Sequence, residues 1–376
     1  MINHKKKTVA ICSNYAWTIF NFRMPLIRSL TRSGYRVVVL TQFDGYEKKI
    51  SNEVDKVYPV YLSRKGVNPF VDIITLCDLI KKLTYIKPDY LLLFTIKPVI
   101  YGSIAARIKS IPHIAMVTGL GTVFISRNVI TKVVKFLYQF SLKRASVVFF
   151  QNTDDKELFI NEGLVDEKIC KLTPGSGIDL DKYKFSDLPN EPNLTFLLVA
   201  RMIKDKGVVE FVDAARKLKR LYPKTNFQLL GPMNVENRTS ISHAEMGRWL
   251  SEGVIEYLGV TDDVSIFIRE SSCVVLPSYR EGMSRVLLEA GAMGRPIVTT
   301  DVTGCREIVE DGLNGFLCAC NDSADLAVKM ENILLLSHEE RIEMGKKGRR
   351  KIEEEFSQDI VFQLYFDAIN GCYDTN

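Results

Sequence analysis

Two glutamates eight positions apart, Glu281 and Glu289, flank a turn in the run Pro277-Ser278-Tyr279-Arg280-Glu281-Gly282-Met283-Ser284. An apolar stretch, Cys273-Val274-Val275-Leu276, precedes the turn and a helical pattern follows it. That order reads as strand, tight turn, helix. In an open α/β sheet, ligands bind at the carboxyl ends of the strands. A carboxylate in the turn, Glu281, can accept hydrogen bonds from sugar hydroxyls. Glu289, about a turn and a half into the helix, can reach the same crevice. Gly282, Met283 and Ser284 open the helix, where backbone N–H groups suit a phosphate. A glutamate near a helix start is also favoured by the macrodipole, so the pair by itself has a bland explanation. The strand before it and the Pro-Ser-x-x-Glu-Gly turn point to a site.

Arg201 and Lys206 lie in Arg201-Met202-Ile203-Lys204-Asp205-Lys206-Gly207, between another strand-like run and another helix. Two fixed cations there can hold a diphosphate and stabilise charge that grows on it. A basic surface turn is the alternative. Gly231 ends the next strand. In the first half, Thr118-Gly119-Leu120-Gly121 ends a strand, and its glycines let backbone approach a ligand. Arg23 stands beside Pro25 at a helix start, where it serves either the helix or an anion. Asn14 lies in the loop Ser13-Asn14-Tyr15-Ala16. That loop has no glycine, which counts against a dinucleotide fingerprint.

The elements that must position these residues alternate between strand-like and helical throughout, which predicts stacked βαβ units. Strands are expected near 8–12, 35–41, 56–61, 90–95, 113–118, 146–150 and 168–173. They restart at 194–200, 225–230, 254–258, 272–276, 296–300 and 314–318. Helical patterns include 22–33, 69–84, 98–109, 126–144, 206–221, 262–270, 284–293 and 323–336, and the tail beyond 338 is nearly all helical. The chain has 376 residues, enough for two domains. Gly175, Gly177, Pro189 and Pro192 punctuate the boundary region. The reading is an N-terminal Rossmann-like domain over 1–185, a second over 186–355, and a C-terminal helix, 356–376, crossing back to the first. The fold class is α/β, with two doubly wound domains facing a cleft. Pro174-Gly175-Ser176-Gly177-Ile178-Asp179 serves as an interdomain hinge or as part of the ligand site.

Charge is uneven. Residues 1–184 hold 28 Lys/Arg against 15 Asp/Glu, and the remainder 22 against 30. The first half therefore calls for an anionic partner. Its helical run 126–144 is basic and aromatic, with Lys132, Lys135, Lys143 and Arg144 and no acid. Such a helix can lie on an anionic membrane surface or simply present a solvated basic face. No nucleic-acid recognition motif is present, so nucleic acid is not an expected partner. No run approaches the ~18 apolar residues of a membrane span. The apolar run after Lys5-Lys6-Lys7 is too short for a signal peptide. The expected location is cytoplasmic, peripheral to the inner face of the membrane. Eight cysteines and four histidines are scattered without zinc spacing, so no metal or resident cofactor is expected.

With these motifs together, nearly the whole chain resembles the retaining GT-B glycosyltransferases of family four. The resemblance rests on Asn21-Phe22-Arg23-Met24-Pro25, Ser63-Arg64-Lys65-Gly66-Val67-Asn68-Pro69-Phe70, Gly119-Leu120-Gly121, Arg201 with Lys206-Gly207, and Pro277 to Glu289. The first two resemble the bacterial enzymes that act on undecaprenyl-diphosphate-linked glycans, among them α-1,3-N-acetylgalactosaminyltransferases. The resemblance implies a UDP-sugar donor, a lipid-linked saccharide acceptor and metal-independent transfer with retention. It implies that Glu281 binds donor-sugar hydroxyls, Glu289 the ribose, and Arg201 and Lys206 the diphosphate. Gly231 falls near the nucleotide base. Thr118 stands where many relatives have histidine. A nucleotide-sugar epimerase of the same fold and a non-catalytic sugar-nucleotide binder are the alternatives.

Overall fold

The computed structural model describes residues 6–62, 69–119, 129–233 and 237–371. The chain divides into two compact units, residues 1–176 with 358–376, and residues 177–357.

The first unit is built on a seven-stranded sheet: β1 (Thr8–Tyr15), β2 (Arg36–Gln42), β3 (Lys56–Pro59), β4 (Tyr90–Phe94), β5 (His113–Val117), β6 (Val147–Phe150) and β7 (Cys170–Leu172). All pairings are parallel, in the order β3-β2-β1-β4-β5-β6-β7. Strands such as Val147-Val148-Phe149-Phe150 are buried along their whole length. Continuous apolar runs are what a parallel sheet covered on both faces requires. One core lies on each face of the sheet.

The last helix, Gln358–Ile369, belongs to this unit. Val361, Tyr365 and Ala368 recur at helical spacing and are buried. The Tyr365 ring packs on Phe149 at 5.0 Å and Phe94 at 5.9 Å between centroids.

The second unit has a six-stranded sheet: β8 (Thr195–Val199), β9 (Asn226–Leu230), β10 (Glu256–Tyr257), β11 (Cys273–Leu276), β12 (Ile297–Thr300) and β13 (Gly315–Cys318). It too is all parallel, in the order β10-β9-β8-β11-β12-β13. Two of its helices carry capping boxes. Ser242 and Glu245 form a capping box on His243–Ser251, and Ser337 and Glu340 form another on His338–Glu355. Residues 177–185, placed in the first domain on sequence grounds, pack in the second core through buried Ile178 and Tyr183.

Several elements differ from the sequence pattern. The helix expected over 22–33 runs Met24–Arg32, and a further helix, Ala16–Phe22, precedes it. They break at Arg23, and Pro25 sits in the first turn of the second, where its missing N–H is harmless. The segment 98–109 begins as a π-helical turn, Pro98–Gly102, before Ser103–Ile108. The helix expected over 126–144 runs Val129–Leu142, and residues 126–128 lie outside the described residues. That over 206–221 starts at Val208, after Gly207 at φ 71°.

Candidate active site

In each sheet the strand order reverses once, between β1 and β4 in the first and between β8 and β11 in the second. Loops leaving two such neighbours diverge, and the crevice between them is where open α/β sheets take ligands. In the second unit, those two loops carry the residues singled out by motif. Arg201, Lys206 and Gly207 follow β8. Glu281, Gly282, Met283 and Ser284 follow β11.

Lys206 and Glu281 meet directly. The ammonium Nζ donates to the Glu281 carboxylate Oε1, with the side chains 18% and 13% exposed. The two loops are locked by backbone. The Tyr279 N–H donates to Asp205 O at 2.9 Å, and the Ser278 hydroxyl donates to the same carbonyl at 3.2 Å. A Cβ on Gly207 would lie 2.1 Å from Pro277 O, so only glycine permits this approach. Farther out, the Tyr279 hydroxyl bonds to Glu210 Oε1 at 2.7 Å.

The loop after β12 braces the other side. The Glu281 N–H donates to Thr303 O at 3.0 Å, and the Ser284 N–H to Gly304 O at 2.9 Å. Those two N–H groups are therefore engaged within the protein. The helix Arg285–Ala292 begins after Ser284, which makes no side-chain cap. No acid stands in its first turn, so that end keeps its affinity for an anion.

Glu289 is the fifth residue of this helix and is 6% exposed. Arg285 Nε lies 3.3 Å from its Oε1. Tyr183 bonds to both Glu289 and Arg285; burial, then the Glu289 charge and the bond to it, push its hydroxyl pKa up against the opposing effect of Arg285. The Arg285–Glu289 pair is an i,i+4 spacing that the sequence displays. Tyr183 is a hundred positions away and carries no local signal. Arg201 is exposed and makes no ion pair among the described residues.

Gly231, after β9, has φ 139°, and a Cβ there would meet Ala200 O at 1.9 Å. Its N–H donates to Gly259 O at 2.8 Å. Its glycine is required by the close approach of two backbones at the end of β8.

The remaining residues stand in the first unit. Asn14 lies near the end of β1, and its N–H donates to Thr95 Oγ1 at 3.2 Å. Thr118 and Gly119 follow β5, with Gly119 at φ 126°. Gly121 lies outside the described residues. Arg23 is 6% exposed, with its guanidinium carbon 4.1 Å from the centroid of the Phe94 ring. That is a packed cation–π placement. Among the described residues, no group of three or more His, Cys, Asp or Glu is arranged to hold a metal ion. No described helix is long and apolar enough to cross a membrane.

Comparison with known proteins gives the family. A family described as "Glycosyl transferases group 1" matches residues 179–351, and one described as "Glycosyl transferase 4-like" matches residues 9–152. The chain is 30% identical over 374 residues to the N,N'-diacetylbacillosaminyl-diphospho-undecaprenol alpha-1,3-N-acetylgalactosaminyltransferase of Campylobacter jejuni, covering 95% of this chain and 96% of that one. The chain belongs to the group 1 glycosyl transferases. It is a glycosyltransferase, and its fold is GT-B. It is also 26% identical over 327 residues to the UDP-Gal:alpha-D-GlcNAc-diphosphoundecaprenol alpha-1,3-galactosyltransferase of Escherichia coli, covering 81% of this chain and 82% of that one. Among solved structures, Anabaena HepE in complex with UDP-glucose superposes with a TM-score of 0.79 at 18% identity, covering 97% and 99% of the two chains. A glycosyltransferase from Rickettsia africae superposes at 0.78 with 15% identity, covering 99% and 100%. None of these four relatives is named an epimerase.

Proposed function

We propose that this glycosyltransferase moves an N-acetylhexosamine from a UDP-sugar, with retention and without a metal ion, to an undecaprenyl-diphosphate-linked saccharide in bacterial glycan synthesis. The observation that carries the reading is the Lys206–Glu281 pair at the switch point of the second sheet, with Arg201 exposed on the same loop.

An ammonium has three N–H donors. One held by Glu281 fixes Lys206 and leaves two for a diphosphate. The other Glu281 oxygen accepts donor-sugar hydroxyls. As the sugar–phosphate bond breaks, positive charge grows on the sugar ring and negative charge on the departing diphosphate. Lys206, Arg201 and the helix start at Arg285 stabilise the latter most, because it is fully developed only near the transition state. These cations do what a divalent ion would do. The departing phosphate takes the acceptor proton, and reaction on that same face retains configuration. Glu289, held by Arg285 and Tyr183, receives the ribose hydroxyls.

The names of the Campylobacter and Escherichia relatives support a diphosphoundecaprenol-linked acceptor, and the HepE complex supports a UDP-sugar donor. A lipid-linked acceptor calls for a protein at the cytoplasmic face of the membrane. The helix Val129–Leu142 suits that surface. It buries Val134, Tyr138 and Leu142 and exposes Ile130, Val133, Phe136 and Phe140. Lys132, Lys143 and Arg144 are exposed beside them. Lys135 is engaged by Glu162 at 2.6 Å.

The donor half is tested by thermal shift with UDP, GDP, TDP and their sugars. Stabilisation selective for UDP-sugars, lost in Glu289→Ala, is expected. Equal shifts with all nucleotides, or none, would overturn the assignment of the donor.

A further inference from the structure

In the loop after β12, one peptide unit makes two connections. The carbonyl of the Thr303–Gly304 peptide, Thr303 O, accepts the Glu281 N–H at 3.0 Å. Its amide, the Gly304 N–H, donates to the Glu307 carboxylate Oε2 at 2.8 Å. A trans peptide is planar, so fixing the direction of its N–H fixes that of its C=O. The next carbonyl, Gly304 O, accepts the Ser284 N–H at 2.9 Å. Two consecutive peptide planes therefore set the register of the turn at Glu281 and of the start of the helix Arg285–Ala292.

Only glycine can stand at the joint between those planes. Gly304 has φ 81°, and a Cβ there would lie 2.5 Å from Glu281 O and 2.6 Å from Glu281 Cβ. The same permissiveness leaves the joint easy to rotate. Glu307, half-buried and three residues on, restrains it. A carboxylate makes the stronger kind of hydrogen bond to an N–H. It also polarises the peptide, which makes Thr303 O a better acceptor for Glu281. The β12 end supports the same turn from its start: the Thr299 hydroxyl donates to Leu276 O at 2.6 Å and the Thr300 hydroxyl to Ser278 O. The Cys305 thiol, raised chiefly by burial, also senses the charges of Glu281, Lys206 and Glu307. Glu307 thus shares one electrostatic neighbourhood with the Lys206–Glu281 pair.

We propose that Glu307 is a positioning residue for sugar transfer. Through the Thr303–Gly304 peptide it sets where Glu281 stands against the donor sugar. The inference rests on the transferase reading, which gives Glu281 its role.

The test compares Glu307→Met with Glu307→Gln in the full chain. Glutamine keeps an oxygen that accepts the Gly304 N–H, and methionine keeps the stem without one. Glu307→Ala serves the same comparison if methionine does not fit the turn. Glu307→Met should lower kcat by a factor on the order of 10², the scale of a reacting group misplaced by about 1 Å. Its UDP-sugar KM should stay within about threefold, because the contacts of Glu289 are untouched. Glu307→Gln should keep kcat within about fivefold of wild type, the difference between a charged and a neutral acceptor. Amide hydrogen exchange of the peptide spanning Glu281 and Ser284 should quicken about tenfold in Glu307→Met and not in Glu307→Gln. Peptides from β8 and β9 should exchange as in wild type. A kcat within threefold of wild type in Glu307→Met would overturn the inference. Equal losses in both variants would also overturn it, since charge and not the hydrogen bond would then be the cause. Faster exchange throughout the second unit would make Glu307 a purely structural brace. If wild type transfers nothing, the transferase reading fails by itself, and exchange decides the positioning: unchanged exchange at Glu281 and Ser284 in Glu307→Met refutes it.

Discussion

Removing the Lys206 ammonium strands a carboxylate that the second domain holds in place. The side chains of Lys206 and Glu281 are 18% and 13% exposed. Breaking a fully buried pair costs about 3–5 kcal/mol, and an exposed pair contributes about 0–1. A pair on the wall of an open crevice lies between, so Lys206→Met should lose about 2–3 kcal/mol. Methionine keeps most of the aliphatic stem, so the loss reports charge rather than packing. In Lys206→Met with Glu281→Gln no charge is stranded, and most of that loss should return. Transfer behaves differently. Lys206→Met should slow turnover by a factor on the order of 10²–10³, as for other groups that stabilise developing charge, and Glu281→Gln should not restore it. The chain has two tryptophans. Trp249 is buried in the second core, whereas Trp17 is exposed in the first unit. In a Trp17→Phe background, urea unfolding followed by Trp249 fluorescence therefore reports the second domain alone. A coupling energy below about 0.5 kcal/mol, or turnover within threefold of wild type, would refute the reasoning.

Other consequences follow from burial and charge. Burial holds the His113 imidazole down to about 4 from its ordinary 6.5. Between those values the unfolded chain binds a proton that the native chain does not. Stability is therefore fully present above pH 6.5 and falls as pH drops toward 4, by up to about 3 kcal/mol; urea unfolding across that range should show a shallower slope for His113→Gln. Burial pushes the thiols of Cys12, Cys305 and Cys318 up to about 12, while Cys77 and Cys320 are exposed. Mass-mapped thiol labelling should modify the latter two in the native protein and the former three only on unfolding. Replacing Lys132, Lys143 and Arg144 with Gln should weaken binding to anionic vesicles by roughly 1 kcal/mol per charge. Unchanged co-sedimentation would remove the membrane role of that helix.

Much of the fold was legible because the strands of a parallel sheet are continuous apolar runs. β4, β6 and β11 stand out in the sequence for that reason. The loops of the candidate site were legible because their order, strand then turn then helix, fixes where Arg201, Lys206 and Glu281 emerge. What the sequence hid depends on distance along the chain or on backbone detail. Nothing local links Tyr183 to Glu289, or Gly304 to the carbonyl of Glu281, which a Cβ would approach to 2.5 Å. The π turn at Pro98–Gly102 interrupts a pattern that reads as a single helix, and the short helix Ala16–Phe22 was not read from the sequence. Periodicity registers apolar spacing and is blind to such changes of hydrogen-bond register. Arg23 looked equally suited to a helix start and to an anion; its side chain makes no cap hydrogen bond on the helix it precedes and packs on Phe94.

The most direct test of the account is a transfer assay with a panel of UDP-sugars and a defined undecaprenyl-diphosphate-linked saccharide. UDP release, extension of the acceptor and the anomeric coupling of the new linkage are followed together. The account predicts that one UDP-N-acetylhexosamine yields a lengthened lipid-linked product with an α linkage, and that Glu281→Ala abolishes it. UDP-sugar turnover giving only free epimer, a β-linked product, or no extension with any donor would contradict it.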